Sequence, residues 1–320
     1  MSLPKTATST LEVEVSRGSR FRSGSSASTK KKKNIHYGYW WWSVPAILMI
    51  FAVHYVATGI GISYSFTDYK GIGNYNWIGF DNYIKLFKDE ILVDALGHTV
   101  FLAFTFFILV NIIGLACALA VNRSLKTRHI LRTLLFLPVV LSPLAVSYIF
   151  QFIFQTTGPL NSLLGVFGLE DLQRTWLADP KFAIYTVLTV MVWQNIGFAM
   201  VVFLAGLATI PQEIEEAAAI DGAGSFSRFW HITLPLLRPA TAISTTLAVT
   251  TGLRVFDQVQ GLTGGGPFGA TETLATQIYM NTFAFGQFGY GSAIAVIFTI
   301  VVMIAAGLQL FVTRDKGTYS

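Results

Sequence analysis

One polar segment, residues 210–235, carries charged and small side chains at regular spacing between two long apolar segments. Its carboxylates precede a run of alanines, an order typical of a helix start, because acidic side chains interact favourably with the partial positive charge there. Alanine favours a helix and adds little bulk, whereas Asp221 and Gly222 can end it. The pattern predicts a short helix with a small-residue face that could lie in a groove of another protein. The spaced residues are Glu213, Glu216, Ala217, Ala218, Asp221, Gly222, Ile232, Leu234 and Pro235.

The second half of this segment carries aromatic residues on one face of a predicted helix. Phe226, Phe229 and Trp230 recur at i, i+3 and i+4, beside Arg228 and His231. The same pattern is typical of helices that rest on lipid headgroups. An interfacial helix-turn-helix and a docking surface are therefore both open at this point.

The sequence contains no catalytic set, such as paired carboxylates, Ser/His/Asp or Cys/His, at a plausible spacing. The five histidines are scattered, and the single cysteine, Cys117, lies in an apolar run, so we expect neither a metal site nor a disulfide. The glycine-rich stretch 264–266 does not continue into the phosphate-cradling pattern, since no Gly-Lys pair exists in the chain. We therefore expect no cofactor, no ATPase site and no enzymatic activity in this chain.

The composition predicts a membrane protein with helical spans. The chain of 320 residues is 53% hydrophobic and 12% charged, with a mean hydropathy of +0.56, which is unusual for a soluble domain of this size. Charge-free stretches of about 20 residues or more each predict a transmembrane helix. The result is an all-α bundle of six spans, the fifth diluted by threonines, with a short helix over 273–285. The spans are predicted near 41–64, 97–121, 131–154, 183–208, 237–257 and 290–312.

The charges predict which side of the membrane each loop faces. With these spans, 16 of the 22 Lys and Arg residues fall on one side and six on the other, which puts both termini and residues 210–235 in the cytoplasm. The net charge of +5 thus reflects topology rather than nucleic-acid binding. Residues 1–35 predict a disordered basic tail, 36–315 the membrane domain, and 316–320 a cytoplasmic tail. An uncleaved first span is favoured over a signal peptide, because its apolar run is long enough to cross a bilayer.

The spaced motif in residues 210–235 resembles the EAA loop of bacterial ABC importer permeases, the membrane components of binding-protein-dependent transport systems, and matches it at every position. Other stretches resemble the sugar-importer branch, and the whole resemblance covers roughly residues 40–313. The chain is most similar to the first-named permease of maltose- and glycerol-phosphate-type pairs. The further stretches are 78–83, 204–207, 256–259 and 262–267.

The resemblance implies a fold, a location and a set of partners. It implies the type I ABC importer permease fold in a bacterial inner membrane, in contact with lipid and intertwined with a homologous second permease subunit. A cytoplasmic ATP-binding subunit would dock on residues 210–235, and the extracytoplasmic solute-binding protein would contact the loop 264–267. The transported solute would be a sugar or oligosaccharide, carried by alternating access.

Several residues in the third to fifth spans are candidates for the solute path. Polar groups inside a membrane are unfavourable unless they face a partner or a water-filled path. Gln194 and Asn195 are adjacent, so one can line the path while the other bonds to a neighbouring helix. The resemblance places the sugar path among these spans, although small residues also serve ordinary helix packing and Trp193 could stack on a sugar or on a helix. The candidates are Tyr148, Trp193, Gln194, Asn195, Gly197, Ala248, Gly252 and Val255.

Two other features keep alternatives in view. Arg254 and Asp257 are three residues apart near the end of the predicted fifth span, which predicts a helical i,i+3 salt bridge. A secondary carrier driven by an ion gradient is the alternative function, against which stand the lack of buried carboxylates in the spans and the presence of a docking-type loop. A membrane-embedded enzyme is a further alternative that lacks a catalytic set.

Overall fold

The computed structural model describes residues 40–123 and 126–313, and these form helices joined by loops. The chain divides into two compact units, one up to Phe51 and one from Ala52 onwards. In the first unit, a 3-10 turn (Trp40–Ser43) leads into α1 (Val44–Ile50), whose apolar side chains are exposed. The predicted tails, 1–35 and 316–320, lie outside the described residues.

The second unit contains the remaining helices, two of which are broken or extended by π-helical turns at Phe229–Thr233 and Met280–Ala284. In chain order they are α2 (Ala57–Tyr64), α3 (Asp81–Lys88), α4 (Glu90–Val121), α5 (Arg128–Val140), α6 (Pro143–Ile153), α7 (Pro159–Val166), α8 (Pro180–Leu207), α9 (Gln212–Ile220), α10 (Ser225–Arg228), α11 (Leu234–Leu236), α12 (Arg238–Leu253), α13 (Asp257–Leu262), α14 (Leu274–Tyr279) and α15 (Phe288–Thr313).

Within the described residues, four helical stretches are long and apolar enough to cross a membrane. They correspond to the predicted first, second, fourth and sixth spans and run over Trp41–Tyr64, Glu90–Val121, Pro180–Leu207 and Phe288–Gln309. Two bent helix pairs raise the number to six if each pair is one span. These pairs, α5 with α6 and Ser225–Leu236 with α12, overlap the predicted third and fifth spans.

The third predicted span is sharply broken rather than continuous. Helices α5 and α6 meet at 100°, and the two residues between them, Leu141 and Ser142, are extended with ψ angles of 143° and 131°. Pro143 explains the break, because the ring of a proline disfavours the helical conformation in the residue before it. The break exposes backbone groups inside the helical bundle, which therefore need side-chain partners.

The helix of the fifth predicted span ends earlier than the sequence suggested. Helix α12 stops at Leu253, Phe256 has φ −133° and ψ −58°, and a new short helix starts at Asp257. Arg254 and Asp257 are therefore not on one helix, and no N···O distance within 4 Å joins them among the described residues. The predicted helical salt bridge is wrong, because the i,i+3 geometry requires continuous helix between the two positions.

The core of the second unit forms where α8 packs against α4, α5 and α12. Phe106 from α4 and Met200 and Phe203 from α8 are fully buried there. Gly252 allows α12 to approach α4 closely, since a Cβ at this position would lie 2.8 Å from the Cα of Ala103. Small residues at helix crossings are the usual means of tight packing in membranes.

The connection between α2 and α3 is organised by polar side chains. The Asp68 carboxylate accepts hydrogen bonds from the backbone N–H (2.6 Å) and the side-chain amide (3.1 Å) of Asn76. These bonds, the backbone one foremost, lower the pKa of the Asp68 carboxyl below its ordinary value, so it stays ionised. The Tyr69 carbonyl accepts from the N–H of Gly289 at 2.8 Å and so holds the start of α15.

Candidate functional site

The segment 210–235 begins with the short helix that its residues predicted. Helix α9 ends at Ile220, Asp221 follows as its C-cap, and Gly222 has φ +80°. The N–H of Ala223 reaches the carbonyl of Ala218 at 2.9 Å, so the αL residue closes the helix end as the sequence predicted. On the helix surface, the Gln212 side-chain amide donates to the Glu216 carboxylate at 2.9 Å.

The return half of this segment is a bent helical run that anchors the segment to the unit. Helix α10 passes through the π-helical turn into α11, and Thr233 is buried. Ile232, Leu234 and Pro235 are half-buried, as expected of residues that pack the return. The Arg228 guanidinium contacts the Glu215 carbonyl at 3.5 Å, which ties the two halves together.

The outward surface of the segment combines acidic, small and apolar side chains. Glu213, Glu216, Ala217, Asp221 and Gly222 are exposed, and Ala218 is half-buried. Two large apolar side chains are also exposed: Ile220 at 87%, which was not among the spaced residues, and Phe226 at 78%, which belongs to the predicted aromatic face. The only sequence signal for Ile220 is its place as an apolar residue beside a helix end in a polar segment. An exposed apolar patch rimmed by polar residues is typical of a protein-binding surface.

A cavity of about 410 Å³ lies where the α5–α6 break, the middle of α8 and the α12–α13 break meet. Its volume falls in the range of about 300–1,000 Å³ usual for small-molecule sites. Unlike the surrounding core, it has mainly polar side chains at its wall. The lining residues are Val139, Leu141, Pro143, Gln194, Asn195, Thr250, Thr251, Arg254, Val255, Phe256, Asp257 and Gln258.

Gln194 joins the three elements around this cavity. It is 3% exposed, its amide donates to the Leu141 carbonyl at 2.9 Å, and its side-chain oxygen accepts from the amide of Gln258 at 3.1 Å. The Leu141 carbonyl lies at the α5–α6 break, where no backbone N–H of a continuing helix can serve it. Gln194 thus replaces a missing helical hydrogen bond and ties α13 to the same point.

Asn195 is the member of the amide pair that is available at the cavity. It is half-buried, and its amide donates to the Met191 carbonyl of its own helix at 2.9 Å. It also borders a second cavity of about 200 Å³, which Ala248 and Thr251 line. Asn195 and Thr251 are therefore shared by both cavities. The structure therefore distinguishes the two adjacent amides: Gln194 bonds to neighbouring elements, and Asn195 borders both cavities.

The other predicted path residues fall into different surroundings. Val255 lines the larger cavity, whereas Tyr148 is 59% exposed, and Trp193 lies edge-on against Phe150 with ring centroids 4.9 Å apart. Gly197 faces α5, where an added Cβ would lie 2.7 Å from the Cα of Phe136. Gly197 and Gly252 thus occupy helix contacts, and a role for them in solute passage stays a prediction.

Five polar residues that line the larger cavity were not among the predicted path residues. Thr250 and Thr251 belong to the threonine-rich face of α12, which could have drawn attention to them. Arg254, Asp257 and Gln258 reach the cavity only because α12 stops before them. Among the residues that the structure describes, no group of three or more His, Cys, Asp or Glu is placed to hold a metal ion.

These helices have the architecture of an ABC importer permease. The crystal structure of a bacterial ABC transporter involved in import of the acidic polysaccharide alginate contains a chain that superposes with a TM-score of 0.77 at 23% identity, covering 87% of this chain and 96% of that one. The alginate transporter in complex with an alginate pentasaccharide-bound periplasmic protein gives a TM-score of 0.75 at 22% identity, covering 86% and 93%. The fold is that of a type I importer permease, all-α and membrane-spanning, which confirms the predicted fold class.

The chain belongs to the family described as binding-protein-dependent transport system inner membrane component, whose sequence model matches residues 110–316. A relative from Streptococcus mutans, the multiple sugar-binding transport system permease protein MsmF, is 35% identical over 272 residues, which cover 85% of this chain and 93% of the relative. The resemblance read from the EAA loop is thereby confirmed as a family membership.

Proposed function

We propose that this chain is a transmembrane permease subunit of an ATP-driven importer and forms half of the translocation path for a sugar or oligosaccharide. The observation that carries the proposal is the exposed segment 210–235, which has the spacing of a docking loop in a chain of the permease family. The similarity to MsmF, a multiple sugar-binding transport system permease, supports the solute class. The polar wall of the larger cavity suits such a solute.

The docking surface would couple this chain to a cytoplasmic ATP-binding subunit. Ile220 and Phe226 each leave apolar area in water, and burying either side chain fully against a partner contributes roughly 1.5–3 kcal/mol. Glu216 and Asp221 add charges at the edge of this patch, where they can select a partner of opposite charge. The return run through Ile232, Leu234 and Pro235 is followed directly by α12, at a bend of 68°. A displacement of α9 would therefore be passed through α12 to the cavity wall.

The cavity would be this subunit's share of an alternating-access path. The ends of α5, α6, α12 and α13 border it, and such helix breaks permit rigid-body movement of the parts on either side. A homologous second permease would complete the path. Two cytoplasmic ATP-binding subunits would supply hydrolysis, and the chain itself would hold no cofactor and catalyse no reaction.

An extracytoplasmic solute-binding protein would dock at the opposite end. The loop between α13 and α14 is stiffened by Thr271, whose N–H donates to the Gly265 carbonyl at 3.2 Å and whose hydroxyl donates to the Gly266 carbonyl at 2.8 Å. Phe268 projects from this loop and is 98% exposed. A fixed, exposed aromatic residue is well suited to anchor a protein partner. In a bacterial inner membrane, with lipid around the bundle, both termini and segment 210–235 would face the cytoplasm, and no nucleic acid would bind.

The proposal can be tested by isolating the chain with its partners from its native membrane. A tagged wild-type chain, solubilised in mild detergent, should bring down a second permease and an ATP-binding subunit. Glu216→Lys should lose the ATP-binding subunit while keeping the second permease, because the lysine reverses a charge on the docking face. Glu170→Lys, an exposed acidic residue outside the segment, is the matched control and should keep both.

Two results would refute the proposal. Recovery of the ATP-binding subunit with Glu216→Lys at the wild-type ratio would remove the docking assignment. A chain recovered alone that transports in proteoliposomes without ATP would instead be a carrier driven by an ion gradient.

A further inference from the structure

The end of α12 brings two opposite charges to the wall of the larger cavity. Arg254 is the C-cap of α12 and Asp257 is the first residue of α13, and the turn between them carries both side chains to the cavity. A continuous helix would have paired them on one face instead. The helix break therefore keeps the two charges apart and at the cavity.

Neither charge has a partner elsewhere in the part of the chain that the structure describes. No ion pair within 4 Å and no side-chain hydrogen bond engages Arg254 or Asp257, and both residues are exposed. A guanidinium offers five N–H donors and a carboxylate offers two acceptor oxygens. Both sets are available to a molecule in the cavity.

Each side-chain amide at this wall uses one of its two N–H donors within the protein. The amides of Gln194 and Gln258 serve the Leu141 carbonyl and Gln194, and the Asn195 amide serves Met191. The Thr250 hydroxyl donates to the Thr246 carbonyl at 2.8 Å. The wall therefore supplies acceptors, such as the Asn195 oxygen, while strong donors come from Arg254.

We infer that Arg254 and Asp257 bind the hydroxyl groups of an uncharged saccharide in this cavity, an inference that rests on the proposed function. A sugar hydroxyl both donates and accepts, so neighbouring hydroxyls can donate to Asp257 while accepting from Arg254. The two formal charges cancel. An acidic sugar would gain from Arg254 but would bring a second negative charge beside Asp257, and the repulsion between the two negative charges costs free energy.

The expected effect of losing one of these groups is large. Hydrogen bonds to charged groups contribute roughly 1.5–3 kcal/mol, which corresponds to a fall of about 10- to 100-fold in apparent affinity. Asp257→Asn keeps the size of the side chain and removes the charge, and Arg254→Gln replaces the guanidinium by a shorter, uncharged amide. Each variant should therefore raise the KM for uptake by about 10- to 100-fold. Lys181→Gln, an exposed cation at the start of α8 and outside the cavity, should leave the KM unchanged.

The test uses the complete transporter, co-purified with its own binding protein and reconstituted with internal ATP and magnesium. The vesicles receive an equimolar mixture of maltose, trehalose, lactose, glucuronic acid and digalacturonic acid, and mass spectrometry identifies what accumulates. We expect uncharged sugars to accumulate, with the stated rise in KM for Asp257→Asn and Arg254→Gln. ATPase stimulation by the binding protein should persist in both variants, since they alter neither docking surface.

Each other outcome would overturn the inference in a distinguishable way. Accumulation of the acidic sugars alone would make Arg254 an anion-binding group and reject the uncharged class. Uptake of uncharged sugars with an unchanged KM in both variants would exclude sugar contact. Loss of ATPase stimulation in parallel with uptake would indicate that the charges meet the second permease. Accumulation of none of the five by the wild-type complex would reject the sugar-importer function itself and this inference with it.

Discussion

The substitution Gly197→Ala tests whether Gly197, a predicted path residue, serves helix packing or contacts the solute. The Cβ of an alanine would lie 2.7 Å from the Cα of Phe136 and still closer to the Leu135 carbonyl. These neighbours are backbone atoms of α5, so no side-chain rotation can relieve the contact. Carbon atoms in contact prefer about 3.5–4.0 Å, so α5 would have to move away from α8 by about 1 Å.

The cost follows from overpacking, and the control measures the backbone term. Forcing an extra methyl group into a packed contact costs typically about 1–3 kcal/mol, whereas replacing glycine by alanine inside a helix gains roughly 0.5–1 kcal/mol. Gly97 in α4 has no neighbouring atom within 4 Å of an added Cβ. Gly97→Ala should therefore be neutral or stabilising. The difference between the two variants should equal the overpacking cost of about 1–3 kcal/mol.

The assay is thermal unfolding of the purified chain in one detergent, followed by intrinsic fluorescence. Gly197→Ala should unfold several degrees below Gly97→Ala, and the movement of α5 should also disturb the bond between Gln194 and the Leu141 carbonyl. Equal midpoints for the two variants would refute the packing argument. Equal midpoints together with a changed KM for uptake would assign Gly197 to the solute path.

Two further predictions concern the cavity and the outer loop. Gln194→Leu leaves the Leu141 carbonyl and the Gln258 amide without their partner, at a cost of roughly 1–3 kcal/mol for each buried group, so its unfolding midpoint should fall. A normal midpoint with altered uptake would indicate solute contact instead. Phe268→Ala should weaken stimulation of the transporter's ATPase by the binding protein without changing the basal rate, because it removes an exposed anchor and no internal contact. Val166→Ala, equally exposed at the end of α7, is its control, and matching responses of the two variants would argue against a docking role for Phe268.

Local signals explain why the short helix in segment 210–235 could be predicted from the sequence. The helix α9 follows from its acidic start and alanine run, and Gly222 ends it because glycine alone adopts φ +80° at little cost. Each of these effects acts over a few neighbouring residues. The exposure of Ile220 could not be predicted in the same way, because exposure depends on what the rest of the chain leaves uncovered.

The cavity could not be predicted, because it is formed by contacts between residues that are far apart in the sequence. Pro143 marked a possible break, but the angle of 100° and the meeting of Leu141 with Gln194, 53 positions away, are set by packing between helices. The early end of α12 then moved Arg254 and Asp257 from an expected helix face to the cavity wall. Hydropathy and charge spacing do not distinguish a continuous helix from a helix that ends at Leu253. In both cases Arg254 and Asp257 lie near the end of an apolar stretch.

The sequence by itself determined that the chain is an all-helical membrane protein, because the transfer of an apolar stretch into lipid depends on contiguous residues. It also determined the importer permease family, because the spaced motif in residues 210–235 lies within one short segment. Only the tertiary structure decided which polar residues share a cavity, which glycines serve helix contacts, and which of two adjacent amides holds the broken helix. Those outcomes depend on hydrogen bonds and close packing between residues far apart in the chain, where displacements of about 1 Å decide which side chains can meet.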